Sequence, residues 1–273
     1  MKEINFTCPI CKNLLKDMGK SLVCENGHSF DKAKQGYTHL LPVNKMHSKI
    51  PGDNALMVSS RRDFLTKGYY NIFAEALKNL VCEYSSSLFS PVILDCGSGE
   101  GYYTGKIKEA LNESQVFGFD ISKFAVKAAA GKYKNINFAV ASVFDIPFKS
   151  ESVDILVDVF SPLCEDEFLR VLKKGGYFIF AVPGERHLFE MKEILYDSPY
   201  ENEKKDTEYK GFEFVSRVPV NGRIDIDNNE DIMALFSMTP YYWKTSVEGS
   251  NKLKETKNLS LEIEFDFLIY KKI

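Results

Sequence analysis

The 273 residues suffice for one ordinary domain plus a small appendage, and 44% hydrophobic with 13% aromatic residues can fill a packed core. No charged leader with a long apolar run opens the chain, and no apolar stretch approaches the roughly 20 residues of a bilayer span, which predicts a cytoplasmic protein with no membrane partner. The net charge of −3 argues against a uniformly basic polyanion binder, yet residues 1–52 hold eight lysines against four acids, so the remainder stands at −7.

The basic segment is also the metal-bearing one. Cys8, Cys11, Cys24 and His28 follow the spacing C-x2-C-x12-C-x3-H, in which each short pair closes one edge of a metal and the longer gap lets a hairpin return with the second pair. These ligands suit tetrahedral zinc. All four positions are protein residues, so no place remains for water and the Zn2+ is predicted to be structural. Cys82, Cys96 and Cys164 are left over and read as reduced, small buried hydrophobes. A zinc-binding module is expected at 1–35 as an RNA-contacting piece, then a connector at 36–60, marked by Leu40-Leu41-Pro42 and Ile50-Pro51-Gly52-Asp53.

Residues 61–273 read as an α/β body. Apolar positions from Arg61 to Glu83 recur at helical spacing, interrupted near Gly68. Strands at about 91–96, 115–120, 136–141, 153–158 and 176–182 then alternate with helices at about 102–112, 122–132, 165–172 and 185–196. Such alternation predicts a parallel sheet covered on both faces, a Rossmann-like arrangement. Period-two runs at 213–220 and 261–270 suggest a terminal antiparallel pair, 228–237 a helix, and 201–210 and 248–258 polar loops.

The chemistry concentrates in Val92-Ile-Leu-Asp95-Cys-Gly97-Ser-Gly99-Glu-Gly101. An apolar strand ends in a carboxylate, and alternate glycines then let the backbone turn tightly against a ligand. A dinucleotide loop would place glycine at 102, where this chain has tyrosine. The pattern D-x-G-x-G-x-G instead suits S-adenosyl-L-methionine, whose cationic amino-acid end benefits from Asp95, while Asp120, nineteen residues after Gly101, could accept both ribose hydroxyls. A dinucleotide or a purely structural loop are the competing readings.

Taken together, these residues make the whole chain resemble the RlmA-type methyltransferases that modify N1 of a guanine in 23S ribosomal RNA. The likeness includes the zinc ligands, Ala33-Lys34-Gln-Gly36-Tyr37, Pro51-Gly52-Asp53, Arg61-Arg62, Gly68-Tyr-Tyr70, Glu100-Gly-Tyr-Tyr-Thr104, Asp120-Ile-Ser-Lys123, Arg186-His187-Leu188 and Met238-Thr239-Pro240. The resemblance implies that the donor is held by Gly97, Gly99 and Asp120 together with Tyr70, Tyr103, Thr104 and His187. Ser142, at the end of the third strand, is expected to face the adenine. The family commonly has cysteine between the first two glycines; this chain has Ser98, with a cysteine at 96. A homodimer whose cleft holds an rRNA hairpin is also implied.

Methyl transfer to a ring nitrogen needs alignment and exclusion of water more than a strong base. Asp158 is a candidate acceptor for the guanine proton, with a strand-end carboxylate of no catalytic role as its competing reading. Phe160 is a candidate to stack on an extruded base, and the backbone near Pro162 to align it. Lys32, Lys34, Lys45 and Lys49 are expected to meet phosphates. Two other function classes compete: a small-molecule methyltransferase whose zinc only stabilises the fold, and an RNA-binding protein without catalysis.

Overall fold

The computed structural model describes residues 2–46, 48, 51–204 and 208–273, organised by two sheets. The first is antiparallel: β1 (Lys2–Thr7), β2 (Leu14–Asp17), β3 (Ser21–Val23) and β4 (Ser29–Asp31), paired in chain order. The turn between β2 and β3 is the predicted hairpin that brings back the second ligand pair. Strands this short cannot enclose a core of their own.

The second sheet has eight strands in the order β11-β12-β10-β9-β6-β7-β8-β5. They are β5 (Thr38–His39), β6 (Val92–Cys96), β7 (Gln115–Asp120), β8 (Asn137–Val140), β9 (Val153–Val159), β10 (Leu172–Pro183), β11 (Phe212–Ile226) and β12 (Leu259–Lys272). From β10 to β5 all pairings are parallel, while β12 runs antiparallel to β10 and β11. The connector therefore contributes the edge strand β5, which lies beside β8.

Side chains alternate between two buried clusters, as the pleat requires. Ile93, Ile155, Val157 and Ile179 face the side covered by α1 (Ala55–Thr66), α2 (Asn71–Ser85), α3 (Tyr102–Ala110) and α4 (Lys123–Lys132). Leu94, Phe117, Leu156 and Phe178 face the other side, where α5 (Glu165–Val171) and the zinc-bearing sheet cover them. Phe6 of β1 meets Phe117 and Phe148 edge-on at 5.3 and 5.4 Å, and the Thr7 N–H donates to the Pro147 carbonyl at 2.8 Å. Phe6, Leu15 and Leu22 are thus buried in the same cluster as the large sheet. The small sheet is a wall of the main core.

The segment 61–83 is helical and interrupted at Lys67–Tyr70, where Gly68 takes φ +86°, as expected, but α1 begins earlier because Asn54 accepts the Leu56 and Met57 N–H groups as an N-cap. Residues 248–258 are not a loop: α9 (Val247–Glu255) forms, capped by Ser246. Between β10 and β12 lie α6 (Phe189–Leu195), α7 (Asn229–Met238) and α8 (Tyr241–Lys244), while residues 205–207 of the expected 201–210 loop are outside the described residues.

Candidate active site and metal centre

Cys8, Cys11, Cys24 and His28 converge so that their ligand atoms all lie within 4.8 Å of one another. The Cys11 and Cys24 sulfurs are 3.6 Å apart, and His28 Nδ1 stands 3.6 Å from Cys8 Sγ and 3.3 Å from Cys24 Sγ. A tetrahedral zinc with bonds of about 2.3 Å to sulfur sets ligand separations of about 3.8 Å. The four residues fit zinc and leave no position for a substrate. The Asn13 N–H lowers the Cys11 thiol to about 6, which favours the thiolate that binds metal.

At the other centre, β6 is buried along its whole length and ends in Asp95 and Cys96. Gly97 follows at φ +75°, and a Cβ there would lie 2.4 Å from that of Ser161, so no side chain fits between this turn and the one after β9. Over Gly99, at φ +55°, nothing lies within 4 Å of the corresponding position, which leaves its backbone open to a ligand. The Gly97 and Ser98 N–H groups both donate to the Phe119 carbonyl at 2.9 Å. Asp120, next along β7, accepts the Gly99 N–H at 3.0 Å on one oxygen and the Ser122 N–H at 2.7 Å on the other. Each oxygen keeps a further lone pair for a hydroxyl.

Asp95 is 2% exposed and accepts the Thr104 hydroxyl on Oδ2, while its Oδ1 and the Ser98 Oγ are buried with no partner among the described residues. Burial pushes Asp95 up to about 7. Buried polar atoms without partners are rare, and a cationic group entering beside Asp95 would satisfy them. The open glycine, the acid pair and these atoms fit the amino-acid and ribose portions of S-adenosylmethionine. Thr104 is itself wholly buried and orients Asp95 through its hydroxyl.

Aromatic contacts line the same edge. Tyr70 packs edge-on against Phe64 and Phe265, and Tyr103 against Phe73 at 5.0 Å. His187 Nδ1 accepts the Glu264 N–H at 3.3 Å, which assigns the proton to Nε2; burial first and then Lys192 push the imidazole down to about 3, so it is a neutral donor. Its ring lies 4.4 Å from Phe265, which in turn lies 5.7 Å from Phe160. Ser142 is brought beside Asp120 by the bond from the Ala141 N–H to the Asp120 carbonyl, 3.1 Å.

Phe160 is 48% exposed and has φ +58°, a conformation that a bulky side chain holds only where its surroundings impose it. Asp158 imposes part of it by accepting the Ser161 N–H at 2.9 Å. Asp158 is fully buried, and burial raises its carboxyl to about 8, which favours the neutral acid. That placement fits its structural reading. Pro162 is exposed just beyond the turn.

Sequence reasoning passed over Glu100, 4% exposed and raised by burial to about 7, and Arg61, which pairs with Asp53 close to it. The Arg61-Arg62 and Pro51-Gly52-Asp53 motifs carried that signal. Among the expected phosphate lysines, Lys32 pairs with Asp17 at 2.6 Å and Lys45 with Asp145 at 2.7 Å, so neither is free; Lys34 is exposed, and Lys49 lies outside the described residues.

Fold and donor site together define an S-adenosylmethionine-dependent methyltransferase carrying a structural zinc ribbon. The zinc-ribbon family described as "RlmA, N-terminal" matches residues 6–49, and the family "Methyltransferase domain" matches residues 90–239. The chain is 31% identical, over 97% of its length and 96% of the relative's, to "Putative 23S rRNA (guanine-N(1)-)-methyltransferase YxjB" of Bacillus subtilis (strain 168). It is also 31% identical to the 23S rRNA (guanine(748)-N(1))-methyltransferase of Streptomyces fradiae, over 69% of this chain and 66% of that one. The chain belongs to the RlmA-type 23S rRNA (guanine-N1)-methyltransferase family.

Proposed function

We propose that this protein transfers the methyl group of S-adenosylmethionine to N1 of a guanine in a 23S rRNA hairpin, with Tyr70, Asp95, Gly97, Gly99, Tyr103, Asp120, Ser142 and His187 as its donor contacts. The observation that carries the reading is Phe160: a half-exposed ring, held in a left-handed turn, on the same edge as the open glycine loop. Bound there, the donor supplies a methyl group activated by its sulfonium. Phe160 stacks on the extruded base, and the backbone around Pro162 aligns N1 with the methyl carbon. His187 donates through Nε2–H without adding charge. The N1 proton goes to water, since the Asp158 carboxyl is wholly buried.

The RNA grip moves from the ribbon lysines to α4. Its sequence KFAVKAAAGK contains no acid, and Lys123, Lys127 and Lys132 are exposed along it. Lys134 Nζ donates to the Gln35 carbonyl at 3.0 Å, which joins this strip to Lys34 on the ribbon side. A basic strip on a net-acidic chain favours a polyanion over a small neutral substrate. No described helix is long and apolar enough to cross a membrane. The homodimer implied by the resemblance and the cytoplasmic location expected from the sequence belong to this proposal.

The test is incubation with tritiated S-adenosylmethionine and a 23S rRNA hairpin, followed by nucleoside analysis. Label is expected in 1-methylguanosine, and replacing Lys34, Lys123, Lys127 and Lys132 by glutamine should lower RNA affinity about tenfold or more and flatten its salt slope. Label confined to a small-molecule acceptor would refute the reading.

A further inference from the structure

We propose that Asp145 is a positioning residue through which the zinc ribbon sets the cofactor-facing turn after β8, so that metal occupancy and S-adenosylmethionine affinity are linked. The proposal rests on the placement of Ser142 in the donor site. Ser142 opens that turn. Its carbonyl accepts the Asp145 N–H at 3.2 Å, and its hydroxyl accepts the Phe144 N–H at 3.2 Å, with the Phe144 ring 67% exposed at the tip. Where Asp145 sits therefore decides where Ser142 points.

Two cations from outside the parallel strands of the sheet hold the Asp145 carboxylate. Lys12 Nζ reaches Oδ1 at 2.5 Å, and Lys45 Nζ, from the short 3-10 turn Val43–Lys45 of the connector, reaches Oδ2 at 2.7 Å. Together they hold the carboxyl below its usual range although burial alone would raise it. Lys12 is the residue after Cys11, and it stands at φ +61°, in the left-handed region, with its N–H bonded to the Cys8 carbonyl at 2.8 Å. A long side chain holds that conformation under constraint, and the constraint is the knuckle that closes the first ligand pair. The metal organises the knuckle, the knuckle directs Lys12, Lys12 holds Asp145, and Asp145 closes the turn that carries Ser142.

The loop's other end is secured by bonds that do not involve the Asp145 carboxylate, from β1 of the ribbon and from α5. Pro147 accepts the Thr7 N–H at 2.8 Å, and Arg170 donates to the Ile146 and Phe148 carbonyls at 2.9 and 2.7 Å. Loss of the Asp145 clasp thus frees one end of the turn without unfolding the loop. Half-exposed ion pairs are individually weak, so the effect is a change of a few fold in affinity.

Calorimetric titration of S-adenosylmethionine into zinc-loaded Asp145→Ala tests this, with zinc content and melting midpoint recorded alongside. The expected result is a Kd raised about three- to tenfold, one zinc per chain retained, and faster hydrogen exchange at the Phe144 and Asp145 amides. The double variant Lys12→Met/Lys45→Met should reproduce that loss, and combining it with Asp145→Ala should add nothing. Asp145→Glu should recover part of the affinity. If Asp145→Ala and the lysine pair bind the donor at parental affinity while glycine substitution of Ser142–Phe144 weakens binding, the clasp is idle and the proposal falls. If the glycine substitution also leaves affinity unchanged, the placement of Ser142 in the donor site is what fails, and the proposal falls with it.

Discussion

In the ribbon, four ligand atoms gather within 4.8 Å and leave no open position, whereas at the glycine loop Asp95 Oδ1 and Ser98 Oγ are buried without partners and Gly99 faces open space. The first cluster is completed by a metal that stays; the second by a ligand that must leave after each turnover. The difference distinguishes a closed centre from one still open to a ligand, which burial alone does not do, since both centres hold buried residues. It also predicts unequal consequences when either is disturbed.

The largest effect should come from the ribbon. Cys24→Ser should lose the zinc and unfold β1 to β4, because a structural zinc contributes on the order of 10 kcal/mol to such small modules. Phe6, Leu15 and Leu22 would then leave the shared core, and the melting midpoint should drop by about 10 °C, read by calorimetry beside a metal assay. A separable appendage would leave the main transition in place.

At the donor site, Asp120→Ala should weaken S-adenosylmethionine binding by about 1–3 kcal/mol with zinc content unchanged, since it removes the hydroxyl acceptor and frees the Gly99 and Ser122 N–H groups. Unaltered affinity would mean that the loop binds something else. Phe160→Gly sharpens the comparison further. Relief of the left-handed strain, about 1 kcal/mol or more, offsets the lost ring contacts and leaves stability near parental, while methyl transfer to RNA should fall about tenfold or more. A matching fall in stability and activity would make Phe160 a packing residue.

The smallest effect is on pH dependence. Asp95 and Glu100 are raised to about 7 and Asp158 to about 8, all by burial. The folded state therefore holds protons that the unfolded chain releases near pH 4, so these groups favour folding at low pH and lose that contribution as pH rises through 7 to 8. Cofactor-free protein should lose stability from about pH 4 upward, by at most about 1.4 kcal/mol per pH unit for each group, and level off once pH passes 7 to 8. Because the donor's cationic end pairs with ionised Asp95, stabilisation by S-adenosylmethionine should grow from pH 6 to 8, with proton release visible as a buffer-dependent binding enthalpy. The reverse trend would remove Asp95 from the cationic end.

Much of this was legible in the chain. The parallel strands are buried on both faces and so read as continuous apolar runs, and the metal and donor motifs are local, set by spacing within a few residues of a strand end. What depends on distant approach was not legible. Phe6, Leu15 and Leu22 look like the core of a small ribbon until Phe117 and Phe148 are placed against them. α9 carries just two large apolar residues, Val247 and Leu253, and it is seated where a Cβ on Gly249 would fall 2.3 Å from the Leu195 carbonyl oxygen. The basic ribbon suggested phosphate contacts, but charge counts do not reveal that Asp17 and Asp145 lie opposite Lys32, Lys12 and Lys45.

The central claim is that the glycine-loop edge presents a methyl donor to N1 of a guanine in 23S rRNA. N1 methylation blocks Watson–Crick pairing, so reverse transcription across 23S rRNA from cells with the gene, without it, and with an Asp120→Ala copy reads the product directly. A stop beside one guanine is expected in the first sample, absent in the second and much reduced in the third. Identical stop patterns in all three would contradict the account.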